Sequence, residues 1–417
     1  MRYIYTFLLY LATPFFLLRL LWRSRTNSEY RYRWRERFGY IPKIKQTKSI
    51  WIHAVSLGET VAATPLIKAL VNDYPQHTII VTTTTPTGSA QVKKQFGEAV
   101  YHVYAPYDLP HIIKRFLKRA QVYQAIIMET ELWPNQLFQL RRKKIPVLIA
   151  NARLSERSFR RYQKLVGFFR PLLQTIQMIG AQSKADADRF QALGVKSERV
   201  MITGNIKFDL EIPANLIAEA EQLRQHWQTR PTFIAASTHE GEENIILHAF
   251  SEIRKSFSTA LLILVPRHPE RFTKVHDLCR ETGYSIASRA KKEIPSAATQ
   301  IYLGDTMGDL LLLYAASDVA FVGGSFISIG GHNLIEPAAL KLPILSGPRL
   351  ENFVNVRDLL LASQALTIVK DAHELARSVM QLFSDQQSRL VLGRSAFDVS
   401  QQNRGAVAKH LAWIAQN

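Results

Sequence analysis

Cysteine is nearly absent from this 417-residue chain, in which Cys279 is the only one. An intrachain disulfide and a cysteine-based zinc site are therefore excluded, and the composition fits a reducing compartment. No P-loop, G-x-S-x-G elbow or H-E-x-x-H helix occurs, which removes several common enzyme classes. His268 and His332 have no companions at metal-ligand spacing and read as hydrogen-bonding residues, so no metal site is expected. Short repeats and low-complexity segments are also missing. Acidic residues are few: 34 Asp and Glu stand against 53 Lys and Arg, a net charge of +19.

The positive charge is unevenly placed. Between Met1 and Ile50 there are eleven Lys or Arg and two acids. Nucleic acid, anionic lipid or a phosphorylated substrate would each suit such a segment. The neighbouring stretch Tyr3 to Leu18, uncharged and rich in Leu, Phe and Tyr, favours lipid. No small-residue cleavage site follows it, so it does not read as a removable signal peptide. Its helical length of about 24 Å falls short of a hydrocarbon core of about 30 Å. Extension to Trp22, with Arg19 snorkelling, closes the gap, leaving a single span and an interfacial helix both open. Arg23 to Arg37, interleaved with Tyr30, Tyr32 and Trp34, forms a basic-aromatic belt that places the rest of the chain in the cytoplasm. A buried first helix followed by a solvated basic loop is the plain structural alternative. Nucleic acid is not expected as a partner, because a phosphate-tracking arm needs no apolar helix before it.

The chain length points to two domains. Behind the anchor, β-branched runs alternate with helical periodicity, the βα rhythm of parallel, doubly wound sheets. Strands are expected near Ile50–Val55, Thr78–Thr83, Val100–Tyr104, Ala125–Met128, Val147–Ala150, Met178–Ala181 and Val200–Thr203. After a pause, a second series runs Thr232–Ala236, Leu261–Val265, Gln300–Leu303, Val319–Val322, Pro343–Leu345 and Leu366–Val369. The expected organisation is an anchor at 1–25, a Rossmann-like domain at 26–204, a linker at 205–213, a second Rossmann-like domain at 214–403 and a C-terminal helix at 404–417. In this α/β architecture the domains face each other across a cleft, and ligands sit at carboxyl ends of strands.

Those strand ends carry the candidates. Glu59, in Ser56-Leu57-Gly58-Glu59-Thr60, is either a helix-capping carboxylate or a general base. An apolar strand delivers Glu129 and Glu131; Glu129, directly off the strand, should be the more enclosed. Pairing with a base such as Arg153 is the structural alternative for either acid. Thr82 to Thr87 could bind polar substrate groups or serve as turn and cap chemistry. Lys207 lies in the linker and could steady an anion. In the second half, Gly323-Gly324-Ser325 and Gly330-Gly331-His332-Asn333-Leu334-Ile335-Glu336 suggest amides approaching a phosphate at a helix N-terminus, with Glu336 on a ribose. Arg267, after the strand Leu261–Val265, could hold a phosphate.

Together these segments resemble the Kdo transferases, which attach 3-deoxy-D-manno-oct-2-ulosonic acid (Kdo) to the lipid A precursor. The motifs run in order through nearly the whole chain. They are Arg31–Gly39 (R-x-R-x-R-E-R-F-G), Ser56–Thr60, Met128–Asn135 (M-E-T-E-L-W-P-N), Ala150–Ser155, Lys207–Asp209, Ser237–Glu243 (S-T-H-E-G-E-E), Val265–Phe272, Gly304–Gly308 and Gly330–Ala338. The resemblance implies the glycosyltransferase-B fold, with an acceptor-binding N-terminal domain and a donor-binding C-terminal domain. It implies CMP-Kdo as donor, lipid IVA as acceptor, inversion at the anomeric centre, and no cofactor or metal. The implied setting is the cytoplasmic side of the bacterial inner membrane. Glu59 then matches the general base, and Glu129 and Lys207 match positions that stabilise the transition state, with Glu131 in the same motif. Pro266 and Arg267, Met307, Gly308 and Asp309, and Asn333, Leu334, Ile335 and Glu336 match segments that hold CMP, Asp309 through its backbone. Competing readings are a UDP-sugar transferase or epimerase of the same fold, and a membrane-tethered nucleic-acid or scaffold protein. Preference for UDP over CMP, or salt-sensitive RNA binding, would discriminate them.

Overall fold

The computed structural model describes residues 2–25, 27–44 and 48–416. Thr26 and Asn417, the expected start of the first domain and end of the last helix, lie outside them. The chain divides into two compact units, Met1–Asp209 with Arg404–Asn417, and Leu210–Asn403.

In the first unit the described strands are β1 (Ser49–His53), β2 (Thr78–Thr83), β3 (Tyr101–Tyr104), β4 (Val122–Met128), β5 (Val147–Ala152), β6 (Met178–Ala181) and β7 (Val200–Ile202). They form one parallel sheet in the order β3-β2-β1-β4-β5-β6-β7. Parallel strands carry helices on both faces, so both faces must be apolar. Trp51, Ile80 and Ile127 accordingly enter one core, and their neighbours Ile50, Ile52, Val81, Ile126 and Met128 enter the other. The helix Ala406–Ala415 completes that second core with Ala406, Trp413 and Ile414. Asp209 ties its start down, accepting hydrogen bonds from the amides of Gly405 (2.5 Å) and Val407 (2.6 Å). His410 Nδ1 donates to the Ala406 carbonyl, and its Nε2 accepts from the Asn151 amide at 3.2 Å. Burial lowers the His410 pKa to about 4, so the neutral ring can fill both roles.

The apolar helix α1 (Arg2–Arg23) lies along this unit and has no buried residue, which rules out the buried-helix alternative. Tyr5 donates to Asp108 (2.9 Å), Thr6 to Asn135 (3.0 Å), and Tyr10 meets His111 Nδ1 at 2.7 Å. Ile4, Leu8, Leu11, Phe15, Leu18 and Trp22 are exposed at helical spacing, forming an apolar stripe.

The second unit contains β8 (Thr232–Thr238), β9 (Leu261–Pro266), β10 (Ile286–Ser288), β11 (Ile301–Leu303), β12 (Val319–Val322), β13 (Ile344–Ser346) and β14 (Leu366–Ile368). These are parallel, in the order β10-β11-β9-β8-β12-β13-β14. The strand β10 was not expected; three residues in a polar stretch carry too little periodicity to announce it. The helix that follows β11 spans only Leu310–Ala315, because Thr306 to Asp309 form a loop. Each sheet reverses its winding once, between β1 and β4 and between β8 and β12. Crevices for ligands open at such switch points, outside the carboxyl ends of the strands.

Candidate active site

At the first switch point, Ser56 caps the helix Leu57–Asp73 by accepting from the Glu59 amide at 3.2 Å. The Glu59 carboxylate returns the contact, accepting from Ser56 Oγ (2.8 Å) and the Val55 amide (2.9 Å). This resembles a capping box, except that the carboxylate reaches the amide of Val55, one residue before the cap. The capping reading of this side chain is thus present in the structure. Burial raises the Glu59 pKa to about 7, with Glu131 and then Glu129 adding repulsion against the two hydrogen bonds. A carboxyl group near neutrality is suited to proton transfer at physiological pH.

Glu129 and Glu131 follow β4, beside β1. Both are half-buried, so enclosure does not single out Glu129 as expected. Burial pushes the Glu131 pKa up, opposed by a 2.8 Å hydrogen bond from Trp133 Nε1. Glu129 instead sits at φ 53°, a left-handed backbone that costs a non-glycine residue about 1–2 kcal/mol. Such strain at a strand end re-aims a side chain and persists only where the surroundings impose it. Lys207 lies in its field: burial lowers the lysine pKa, Glu129 raises it and Arg153 lowers it. Asn151, also left-handed at φ 55°, anchors that segment by accepting from the Ile206 amide at 3.1 Å. Neither Asn151 nor Trp133 was assigned a role from sequence; M-E-T-E-L-W-P-N and A-N-A-R-L-S were the signals available.

The threonine run resolves as turn and cap chemistry. Thr82 receives Trp51 Nε1 at 2.9 Å, Thr84 donates to the Val55 carbonyl at 2.7 Å, and Thr85 caps Gly88.

In the second unit, Glu242 is fully buried and its carboxylate accepts four amides: His239 (3.0 Å), Gly324 (2.7 Å), Ser325 (2.9 Å) and Phe326 (3.0 Å). The Gly331 amide bonds to the Gly324 carbonyl at 2.8 Å. For Gly324 and Gly331 these contacts correct the expectation that the paired glycines offer their amides to a phosphate. Gly324, at φ 68°, is required for another reason: a Cβ there would meet His332 at 2.7 Å. His332 and His239 lie edge to edge in nearly one plane, Nε2 to Nε2 at 2.7 Å, one ring donating and the other accepting. Burial, then Arg267, lowers the His332 pKa to about 3, and burial lowers that of His239, so both are neutral. His239 and Glu242 were quoted only as part of S-T-H-E-G-E-E.

Pro266 ends β9, and the Arg267 amide bonds to the Thr238 carbonyl at 3.0 Å. Among the described residues the Arg267 guanidinium makes no hydrogen bond or ion pair, whereas Arg271 is locked to buried Glu243 at 2.6 Å. Arg267 acts electrostatically on both His332 and Glu336. Glu336 accepts from Asn333 Nδ2 at 3.0 Å, and Asn333 Oδ1 accepts from the Ile335 amide at 3.1 Å. Burial raises the Glu336 pKa, while Asn333 and Arg267 oppose the rise. Leu334 and Ile335 are buried. Met307 is exposed and Gly308 takes φ 108°. The Asp309 carboxylate is engaged by Arg289 and Thr306, both at 2.9 Å.

Comparison with known proteins places these features. The family described as 3-Deoxy-D-manno-octulosonic-acid transferase (kdotransferase) matches residues 32–210. The 3-deoxy-D-manno-octulosonic acid transferase of Haemophilus influenzae is 43% identical over 414 residues, covering 98% of this chain and 97% of that protein. The Bordetella pertussis protein of the same name is 35% identical over 87% of this chain and 86% of its own. Among solved structures, UDP-GlcNAc 2-epimerase from Neisseria meningitidis aligns with a TM-score of 0.59 at 15% identity, over 89% of this chain and 100% of that one. A glycosyltransferase from Rickettsia africae gives 0.57 at 14%, over 88% and 98%. The structural likeness is one of fold, the glycosyltransferase-B class. With near-complete coverage at 43% identity, the chain belongs to the Kdo transferase family of glycosyltransferases.

Proposed function

We propose that the protein transfers Kdo from CMP-Kdo to a hydroxyl of the lipid A precursor lipid IVA, releasing CMP with inversion at the anomeric carbon. The observation that carries this reading is Glu59, a carboxyl group held near neutrality by burial and by Glu131 and Glu129, at a sheet's switch point. In the proposed step, the acceptor oxygen attacks the anomeric carbon as the bond from that carbon to the phosphate oxygen of CMP breaks. The hydroxyl proton passes to the Glu59 carboxylate, and the bonding electrons leave with CMP, a phosphate monoester. A positioned base contributes roughly 10²–10⁴-fold to such a reaction.

Lys207, steadied by Glu129, stabilises negative charge in the transition state. In this reading the first unit binds the acceptor and the second binds the donor. Arg267 takes the phosphate of CMP, supported by an absence of competing partners among the described residues. Glu336, oriented by Asn333, accepts from the ribose hydroxyls. Pro266, Leu334, Ile335, and the Met307, Gly308 and Asp309 backbone shape the nucleotide site. The Asp309 side chain, engaged by Arg289, is assigned no ligand. In this reading those groups take the charge of the leaving group, and the step uses no metal or cofactor. The apolar stripe of α1 and the basic belt behind it bind the cytoplasmic face of a bacterial inner membrane.

The test is incubation of detergent- or nanodisc-held protein with CMP-Kdo and lipid IVA, with and without EDTA, read by product mass. A Kdo increment in both samples is expected. Its absence with folded protein would overturn the proposal, and loss with EDTA would overturn the metal-free step.

A further inference from the structure

A groove of about 300 Å³ in the first unit, between α1 and the carboxyl end of β2, takes no part in the chemistry above. Its walls alternate aromatic and cationic side chains: Phe16, Arg19 and Arg23 from α1, with Arg37, Tyr107 and Trp133 opposite. Arg37 is the unusual member. It is 4% exposed, and a buried guanidinium ordinarily has a carboxylate partner. Among the described residues Arg37 has none: Nη2 donates to the Thr84 carbonyl at 3.0 Å, the group lies 4.2 Å from the Tyr104 ring centroid, and Nε is unpartnered. A buried guanidinium that lines a groove and has no carboxylate beside it is suited to an anion from outside the chain.

Two neighbours indicate what carries that anion. The rim is α1, whose opposite side exposes Leu11, Phe15, Leu18 and Trp22, an apolar stripe suited to acyl chains. The far wall is Trp133, whose indole N–H holds Glu131, the carboxylate acting most strongly on Glu59. The groove thus runs from a lipid-seeking helix to the tryptophan that holds Glu131. We propose that it binds the phosphorylated headgroup of an acylated sugar, with Arg37 on a phosphate oxygen, Arg19 and Arg23 at the mouth, and Tyr107 and Trp133 against the sugar. This deepens the acceptor assignment above and rests on it.

The experiment measures binding of a tetraacylated disaccharide bisphosphate to full-length protein in nanodiscs, without donor, beside its dephosphorylated counterpart and inorganic phosphate. Arg37→Gln is compared with Arg23→Gln, a change at the half-buried mouth of the groove, each variant being shown to be folded. Wild type should prefer the bisphosphate, and each variant should weaken it about tenfold or more while narrowing that preference, as expected for a lost charge-assisted hydrogen bond. Unaltered affinity in folded Arg37→Gln and Arg23→Gln would overturn the site. Equal wild-type affinity for both lipids, with inorganic phosphate displacing neither or occupying Arg37 alone, would overturn it as well. Kdo transfer is scored separately, so failure of the groove with transfer intact is distinct from failure of the transferase reading.

Discussion

Glu242→Gln is the most informative change outside the chemistry. The carboxylate accepts two amides on each oxygen, Ser325 and Phe326 on Oε1 and His239 and Gly324 on Oε2. Glutamine preserves shape but presents one oxygen and one amino group. Two donors would then face another donor. Each unsatisfied buried amide costs about 1–3 kcal/mol, so the pair should cost about 2–6 kcal/mol. Total stability is typically about 5–15 kcal/mol, so the loss should be plain in urea unfolding. The loop also carries Gly324 against His332, so affinity for CMP should fall together with stability. Calorimetric titration of CMP and a urea midpoint, measured on the full chain, check both. A midpoint within the equivalent of about 0.5 kcal/mol of wild type would refute the view that these amides depend on a carboxylate.

Two further outcomes follow. If Glu59 is the base, as proposed, its ionised form is required, and burial raises its pKa to about 7, so kcat should climb through neutrality. Base ionisation alone implies roughly a tenfold rise between about pH 6 and pH 8. Glu131→Gln removes repulsion and should move that rise to lower pH, and a pH–rate profile identical in both proteins would contradict the coupling. Gly180→Ala places a Cβ 2.4 Å from His410 Nε2, which should undock the helix Ala406–Ala415. Overpacking of this kind costs about 1–3 kcal/mol, and hydrogen exchange in 406–415 should accelerate; unchanged protection would refute the packing argument.

Much of this fold was legible because buried parallel strands write themselves as apolar, β-branched runs. Ile50 to His53 and Leu261 to Val265 are examples, and each ends where a candidate residue begins. Ile286 to Ser288 was not legible, being three residues long at a sheet edge within a polar stretch. The docking of 404–417 on the first unit was equally hidden, since it depends on Asp209 and on His410 reaching Asn151, 259 positions away. The same limit explains the glycine-rich loop. Its glycines were conspicuous, but the carboxylate engaging the Gly324 amide lies 82 positions earlier. At Glu59 the sequence offered capping and catalysis as alternatives, and the geometry lets one carboxylate be read as both.

The most direct measurement is the single-turnover rate of Glu59→Gln with saturating CMP-Kdo and lipid IVA, on protein shown to bind CMP normally. A fall of roughly 10²–10⁴-fold is predicted for loss of a positioned base. A rate within about threefold of wild type would contradict the account, because the proton would then be leaving by another route.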